Sequence, residues 1–507
     1  MTNGAAPAAS LAAPWRAQAG SLLMGLGGAL MVVFGSYGAG WLAAGSPLNR
    51  WRWAVPLRAD IPGVVVSIVV LTAGVWVMVA AWLRLGRELV PWKGSLLAVW
   101  RAVLVWSAPL LLAVPIFSRD VYAYIGQGRI VLSGGNPYEE TISSVPNWLQ
   151  LGADVNWAES QTAYGPLFYW LSAGVMKLSG MSPEVAILGF RLLAWVGIAL
   201  LMVYVPKLAT LHGVNVTRAA WIAVANPFVL LSFVASAHND ALMVGLAVAA
   251  TYHAAKRQGV LAIVLLVASV GIKPITLVLL PFLGLLWAGS RAGWPRRVGF
   301  WALSAVLALA LCALMGVPGG FGFGWVAATL SSGGGYLVWF APLGILAGGF
   351  AGMLQAIGLQ AGWVLPAVQV AGRLAALVII IFLLFRGKYS HLVQRMLLAF
   401  TALVVLSPVI QPWYLLWLLP FFAATGIRED WQSLWVYATV AFFVAFGCFD
   451  QIFILEFNMP WKGTMQLISI GVSAVCLVAL LLFSRPLRAQ LSALVPRLRF
   501  PFRTAGA

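Results

Sequence analysis

Apolar runs of bilayer length recur along this chain, and that feature restricts what it can fold into. The first, "SLLMGLGGALMVVFGSYGAGWLAAG", already exceeds the roughly 20 residues that a helix needs to cross hydrocarbon. In lipid every backbone amide must be satisfied inside its own segment, so continuous apolar runs of this kind become helices. Only 9% of the 507 residues are charged and 62% are apolar, too little charge to cover a soluble protein of this size. The sequence therefore predicts an all-α polytopic membrane protein.

Spans are expected near 20–44, 62–84, 95–116, 184–207, 218–235, 240–255, 259–272, 274–289, 298–316, 360–385, 392–407, 412–426, 431–448 and 463–484, about 13–14 in all. Several are too short to cross unassisted. "AVANPFVLLSFVASAHNDALMVGLAVAATYH" and "GVLAIVLLVASVGIKPITLVLLPFLGLLW" each read as one long apolar run broken in the middle by polar residues or Lys-Pro. Such breaks are tolerated where they are buried in protein or line a cavity. Residues 1–17 are Ala- and Pro-rich with Arg16 their one charge, and are expected to form a flexible cytoplasmic N-terminus. A transmembrane domain over 18–484 and a basic cytoplasmic tail over 485–507 complete the expected organisation.

The net charge of +18 is not a nucleic-acid signal, because the basic residues are scattered between apolar runs and form no stripe. They read as topology signals beside anionic lipid headgroups. With the N-terminus in the cytoplasm, Arg84, Arg87, Lys207, Arg218, Lys256, Arg257, Arg296, Arg297, Arg386 and Arg395 fall on the cytoplasmic side, and the Arg50–Arg58 loop is the main exception. Asp120, His238-Asn239-Asp240, Lys273 and "SPVIQPWYLLW" then lie at or just inside the outer face, together with long loops near 117–183 and 317–359. Polar residues from distant segments at one depth point to a site.

Asp120 follows the third span and neighbours Arg119. Desolvation at the edge of hydrocarbon favours its neutral form and the cation favours its charged form, a tension that suits a general base. A helix N-cap is the alternative, since "DVYAYIGQGRI" can start a short helix. On that helix Asp120, Tyr124, Gln127 and, less well, Arg129 share one side. Tyr122 and Tyr124 could equally be interfacial aromatics. "SGGNPYEE" makes a turn that leaves Tyr138 and Glu139 open to a ligand, and "WAESQTAYGPLFYWL" returns to the membrane through Tyr164. Rings for the apolar face of a sugar, with amides and carboxylates for its hydroxyls, are what saccharide binding needs.

Ionisable groups inside apolar sequence are functional candidates, which singles out His238, Asn239, Asp240 and Lys273, with helix capping or snorkelling as the alternatives. An amine at that depth wants an anion, such as a lipid-linked phosphate. Gln411, Trp413 and Tyr414 stand at the outer end of another span, or in an ordinary aromatic belt. "GVPGGFGFGWVAATLSSGGGYLVWFAP" (316–342) reads as a mobile gate rather than a packed element. Cys312, Cys448 and Cys476 stand singly in apolar sequence and behave as small hydrophobes. The sequence holds no Walker lysine loop, no zinc-type His/Cys spacing and no DxD motif, so no metal site is expected.

In order, "SRDVYAYIGQGRIVLSGGNPYEE", "YGPLFYWL", "NPFVLLSFVASAHNDALMVGLAVAA", "GIKPITLVLLP" and "SPVIQPWYLLW" closely resemble the polyprenol-phosphomannose-dependent α-1,6-mannosyltransferases, the membrane enzymes that build the mannan core of actinobacterial lipomannan. The resemblance covers roughly residues 95–480. It implies the C-type glycosyltransferase fold, with many spans and with periplasmic loops carrying short helices. It also implies that Asp120 is the inverting base, and that His238, Asn239, Asp240 and Lys273 contact the donor's phosphate and sugar. Arg119 and Arg129 are further cations for that phosphate. Tyr122, Tyr124, Tyr138, Glu139, Tyr164, Gln411, Trp413 and Tyr414 remain for acceptor and sugar contacts, although Gln411 stands where many relatives would carry His.

The reaction so implied moves mannose from polyprenyl phosphomannose to the 6-hydroxyl of a lipid-anchored α-1,6-mannan acceptor at the outer face, without a metal or other cofactor. A C-type transferase for another lipid-linked sugar (arabinofuranose or glucose) and a lipid-linked-sugar transporter or flippase are the competing readings. A transporter predicts internal repeat symmetry and short outer loops, and neither is evident in the sequence.

Overall fold

The computed structural model describes residues 14–90, 92, 95–159, 164–331, 338, 340–407, 409–450 and 462–483, with Arg488 and Ser492. The expected N-terminal arm up to residue 13, nearly all of the expected basic tail, positions 332–337 of the glycine-rich loop, and Pro408 lie outside the described residues.

Every regular element among the described residues is helical, so the protein is an all-α polytopic membrane protein. Among the described residues, seven helices are long and apolar enough to span a bilayer: Gln18–Ala39, Ile61–Leu89, Pro183–Leu211, Trp294–Gly319, Val364–Phe385, Trp431–Asp450 and Gly463–Phe483. Val216–Ala223 and Pro227–Ala235 form an eighth, bent by 44° at the break. The other segments expected as spans form shorter apolar helices, among them Leu96–Leu110, Asp240–Ala255, Gly259–Ile272 and Pro412–Thr425. The last three start or stop where the sequence places Asn239, Lys273-Pro274 and Gln411-Pro412; the prolines remove a backbone donor, and Asn239 holds the cap position of Asp240–Ala255 without a side-chain cap hydrogen bond.

The helices that matter for the site are α1 (Pro14–Ala39), α2 (Ile61–Leu89), α3 (Leu96–Leu110), α4 (Asp120–Leu132), α5 (Pro166–Leu178), α6 (Pro183–Leu211), α7 (Asp240–Ala255), α8 (Gly259–Ile272) and α9 (Leu415–Thr425). Water is absent from such a core, so packing rests on close backbone approach and buried hydrogen bonds. α1 lies against α2 through glycines. A Cβ on Gly28 would come within 2.8 Å of the Gly74 carbonyl, so only glycine allows the two backbones to meet there. Trp82 on α2 and Trp221 stack at 4.6 Å and exchange indole-to-carbonyl hydrogen bonds of 3.0 and 2.9 Å, which ties the bent span to α2. Gly197 of α6 touches the backbone of Ala241, fixing the start of α7.

The segment 117–183 carries short helices, α4 and α5 among them: α4 is buried along nearly its whole length and packs against α5. The expected gate over 316–342 is corrected in its first part. Phe321 is buried and contacts Tyr138, Tyr169 and Trp170, while the Gly320 carbonyl accepts from Asn136 Nδ2 at 3.3 Å. One aromatic inserted into a ring of three converts that part of a glycine-rich loop into a packed element.

Candidate active site

Four chain breaks converge: the start of α4, the kink before α7, the end of α8, and the turn before α9. Two of them hold non-glycine residues in the left-handed region, Phe117 (φ 64°) and Ala237 (φ 60°). Such conformations persist where the surroundings over-determine them, often at functional sites.

At the first break Ser118 Oγ accepts from the Asp120 backbone N–H at 3.1 Å, satisfying one of the free donors at the start of α4. Asp120 is the first residue of α4 and Arg119 holds the cap position, so Asp120 is not the N-cap. About a fifth of that side chain, 20%, remains exposed. Burial pushes the Asp120 carboxyl above its usual range; His238 and Lys273 draw it back, Asp240 raises it, and the Ser118 contact lowers it.

At the second break the bent span ends in a π-helical turn, Leu230–Ala235, a distortion common at functional sites. Arg191 of α6 holds that end. It is buried and donates to the carbonyls of Val234 (3.1 Å) and Ala235 (2.7 Å), and also to Leu111 (3.0 Å) beyond α3. Ser236 Oγ donates to the Ile116 carbonyl at 2.7 Å. Together they clamp the segment leading to Asp120 onto the one leading to His238. The His238 ring is fully buried, stacks on Trp413 at 4.1 Å, and sets Nδ1 2.6 Å from the Ser232 carbonyl. Its Nε2 lies 3.8 Å from Asp120 Oδ2.

At the third break Lys273 ends α8, and its ammonium lies 2.8 Å from Asp240 Oδ1. Trp417 of α9 donates its indole N–H to the same oxygen at 2.7 Å. Tyr164, Tyr414 and Trp417 surround the ammonium at 5.6, 5.1 and 5.0 Å. Tyr124 Oη donates to Asn239 Oδ1 at 3.4 Å and its ring meets Tyr164 edge-on at 5.5 Å. His238 Nε2, Asn239 Nδ2, Asp240 Oδ2 and Trp413 Nε1 are buried and have no hydrogen-bond partner in the protein. Buried polar atoms are ordinarily satisfied, so this many in one cluster suits a polar substrate.

The structure thus brings Asp120, Tyr124, Tyr164, His238, Asn239, Asp240, Lys273, Trp413 and Tyr414 together. Other sequence candidates turn elsewhere. Arg119 lies over the Trp41 ring at 3.8 Å and donates to the carbonyls of Gly152 and Ala153, with Asp154 Oδ2 3.4 Å away. Tyr122 Oη donates to the Trp41 carbonyl at 2.7 Å. Arg129 sits in the last turn of α4 and donates to the Met181 carbonyl at 2.8 Å. Tyr138 supports the cluster from behind, donating to the Tyr164 carbonyl at 2.7 Å, and Glu139 accepts from Asn136 Nδ2 at 2.9 Å. Gln411 accepts from the Tyr414 backbone N–H through its own carbonyl at 2.9 Å.

Sequence reasoning missed Arg191 and Trp417. An arginine inside a 29-residue apolar helix is the signal that exposes the first. The second sits one helical turn after Tyr414.

Among the described residues no three His, Cys, Asp or Glu side chains gather as metal ligands. Residues 22–289 match the family described as alpha-(1->6)-mannopyranosyltransferase, N-terminal domain, and residues 341–482 match the MptB C-terminal domain. A probable alpha-(1->6)-mannopyranosyltransferase of Mycolicibacterium smegmatis is 29% identical over 90% of this chain and 87% of its own. Two proteins of Mycobacterium tuberculosis bearing the name alpha-(1->6)-mannopyranosyltransferase are also similar. One is 31% identical over 82% of this chain and 80% of its own, the other (form A) 33% over 62% of each.

Proposed function

The chain belongs to the alpha-(1->6)-mannopyranosyltransferase family, and from that premise we propose that it moves mannose from polyprenyl phosphomannose to the 6-hydroxyl of a lipid-anchored α-1,6-mannan acceptor. The chemistry takes place at the outer face, with both termini in the cytoplasm.

The observation that carries this reading is the separation of roles among three charged groups. Asp120 is partly open, whereas Asp240 is fully buried and bound to Lys273. The first carboxylate is free to take a proton; the second orients a cation. In the proposed step the Asp120 carboxylate receives the proton of the acceptor hydroxyl while that oxygen attacks the anomeric carbon. The carbon–oxygen bond to the phosphate breaks and its electron pair leaves with the polyprenyl phosphate. One displacement inverts the anomeric centre, so a β-linked donor gives an α-linked product.

The leaving phosphate gains charge and needs a cation more than a proton, and Lys273 is the cation of the cluster. Donor binding would exchange part of its contact with Asp240 for the phosphate oxygens. Trp413, Tyr414 and Tyr164 supply the apolar surfaces that a pyranose stacks on. The polyprenyl chain, buried in lipid away from the reacting bond, contributes binding energy there.

The test is transfer of radiolabelled mannose from synthetic polyprenyl phosphomannose to a short α-1,6-mannoside, with purified protein and excess chelator. Chelator-resistant transfer giving an α-1,6 product supports the proposal. Transfer only with GDP-mannose, or dependence on added metal, would overturn the donor and the metal-free route respectively.

A further inference from the structure

We propose that His238 is the proton partner of Asp120: the proton that Asp120 takes from the acceptor passes on to His238 Nε2, which restores the carboxylate. This rests on the transfer reaction proposed above.

Geometry carries the inference. A backbone carbonyl can only accept, so the 2.6 Å contact with the Ser232 carbonyl requires the proton of the neutral imidazole to sit on Nδ1. The lone pair is then on Nε2, which faces Asp120 Oδ2 at 3.8 Å and has no hydrogen-bond partner in the protein. A small rotation of the Asp120 side chain closes that gap to a hydrogen bond. The ring is held in place, stacked on Trp413 and fixed through Nδ1. A purely structural histidine ordinarily finds partners for both nitrogens when fully buried.

The proton accounting balances. The acceptor O–H bond breaks and an Asp120 Oδ–H bond forms. That bond then breaks as His238 Nε2–H forms, leaving an imidazolium beside a carboxylate. After product leaves, the proton returns to solvent by way of Asp120, the partly exposed member of the pair. The charged groups facing the pair are Asp240 from α7 and Lys273 from the end of α8. They form their own ion pair, so the imidazolium meets little net opposing charge. His238 acts through Asp120 and is in that sense a positioning residue for the base.

The experiment uses full-length protein in nanodiscs. His238→Gln keeps bulk but offers no basic nitrogen. The expected result is kcat lowered about 10- to 100-fold, below the usual effect of deleting a general base itself, with the KM for lipid donor within about twofold. The acid limb of the rate profile moves to higher pH, because the imidazole that draws the Asp120 carboxyl down is gone. In His238→Ala, added imidazole restores activity and pyrazole, equal in shape but hardly basic, does not. Unchanged kcat and an unchanged acid limb in His238→Gln, or equal rescue by pyrazole, would overturn the proposal.

The chain holds only four histidines, so ¹⁵N-histidine NMR can follow His238 directly. Its titration midpoint should move between wild type and Asp120→Asn; an identical midpoint sinks the pairing even if the His238 variants fail to fold. Wild type that transfers no mannose would instead sink the reaction, since the titration needs no substrate.

Discussion

Lys273 Nζ lies 2.8 Å from Asp240 Oδ1 across 33 residues of chain, and the Asp240 side chain is fully buried. Removing one partner strands a charge in a place without water, at a cost of about 3–5 kcal/mol. Lys273→Met should therefore lower the thermal unfolding temperature sharply in nanodiscs. The double variant Lys273→Met/Asp240→Leu should recover much of that loss while leaving transfer abolished. A single variant as stable as wild type would show that the pair is not closed in the membrane.

Asp120→Asn should lower kcat about 10²- to 10⁴-fold, the span for a general base, with donor binding retained. The active form is the carboxylate. Burial raises the pH at which that carboxylate takes up a proton, so activity declines on acidification above the ordinary carboxylate range rather than within it. Lys273 draws this pKa down, so Lys273→Met should move the acid limb further up in whatever activity remains. Rate against pH for wild type and the residual activity of Lys273→Met decides the sign.

The two tyrosines of α4 mark what a sequence can and cannot disclose here. Apolar runs, their breaks and the polar residues at those breaks are local features, so the all-helical fold and the convergence of Asp120, His238, Asp240 and Lys273 were legible. Which way each side chain turns depends on neighbours far along the chain. Tyr122 bonds the Trp41 carbonyl while Tyr124, two residues later, bonds Asn239. Residues two apart on a helix face different directions, and composition cannot say which direction holds the site. Arg119, expected beside the phosphate, likewise turns on distant neighbours: its guanidinium lies over Trp41 and donates to the 152–153 carbonyls. Tyr122→Phe should accordingly keep kcat within about twofold and lose about 1 kcal/mol of stability, the net worth of one hydrogen bond. A kcat collapse in Tyr122→Phe, measured beside Tyr124→Phe, would reverse this assignment.

Arg191 donates to three carbonyls from two segments, which no other single side chain could replace. Arg191→Met keeps the length and leaves those carbonyls without a donor, each costing about 1–3 kcal/mol. The segments bearing Asp120 and His238 then lose their common clamp. Thermal stability and kcat should fall together, while tritiated acceptor and donor still bind if the fold survives. Arg191→Lys offers a point donor in place of a fork and should recover only part of the loss. Full activity in Arg191→Met would mean that Ser236 alone holds the two segments.

Gly165 shows how narrowly the cluster is set. Its backbone N–H donates to the Ile272 carbonyl at 3.1 Å, and a Cβ there would strike the backbone at Val270 and Gly271. Neither atom belongs to a flexible side chain, so the clash cannot be relieved by a rotamer change. Gly165→Ala must push its own segment away from the end of α8, carrying Tyr164 from Lys273, which its ring meets at 5.6 Å. The expected outcome is a raised KM for the lipid donor, about tenfold or more, since a misplacement of about 1 Å can cost 10²-fold at a reacting site. Stability should change less than in Lys273→Met, because no charge is stranded. Kinetics with a fixed acceptor and varied donor make the test: an unchanged donor KM would place Tyr164 outside the donor site and leave Tyr414 and Trp417 as the aromatic wall around Lys273.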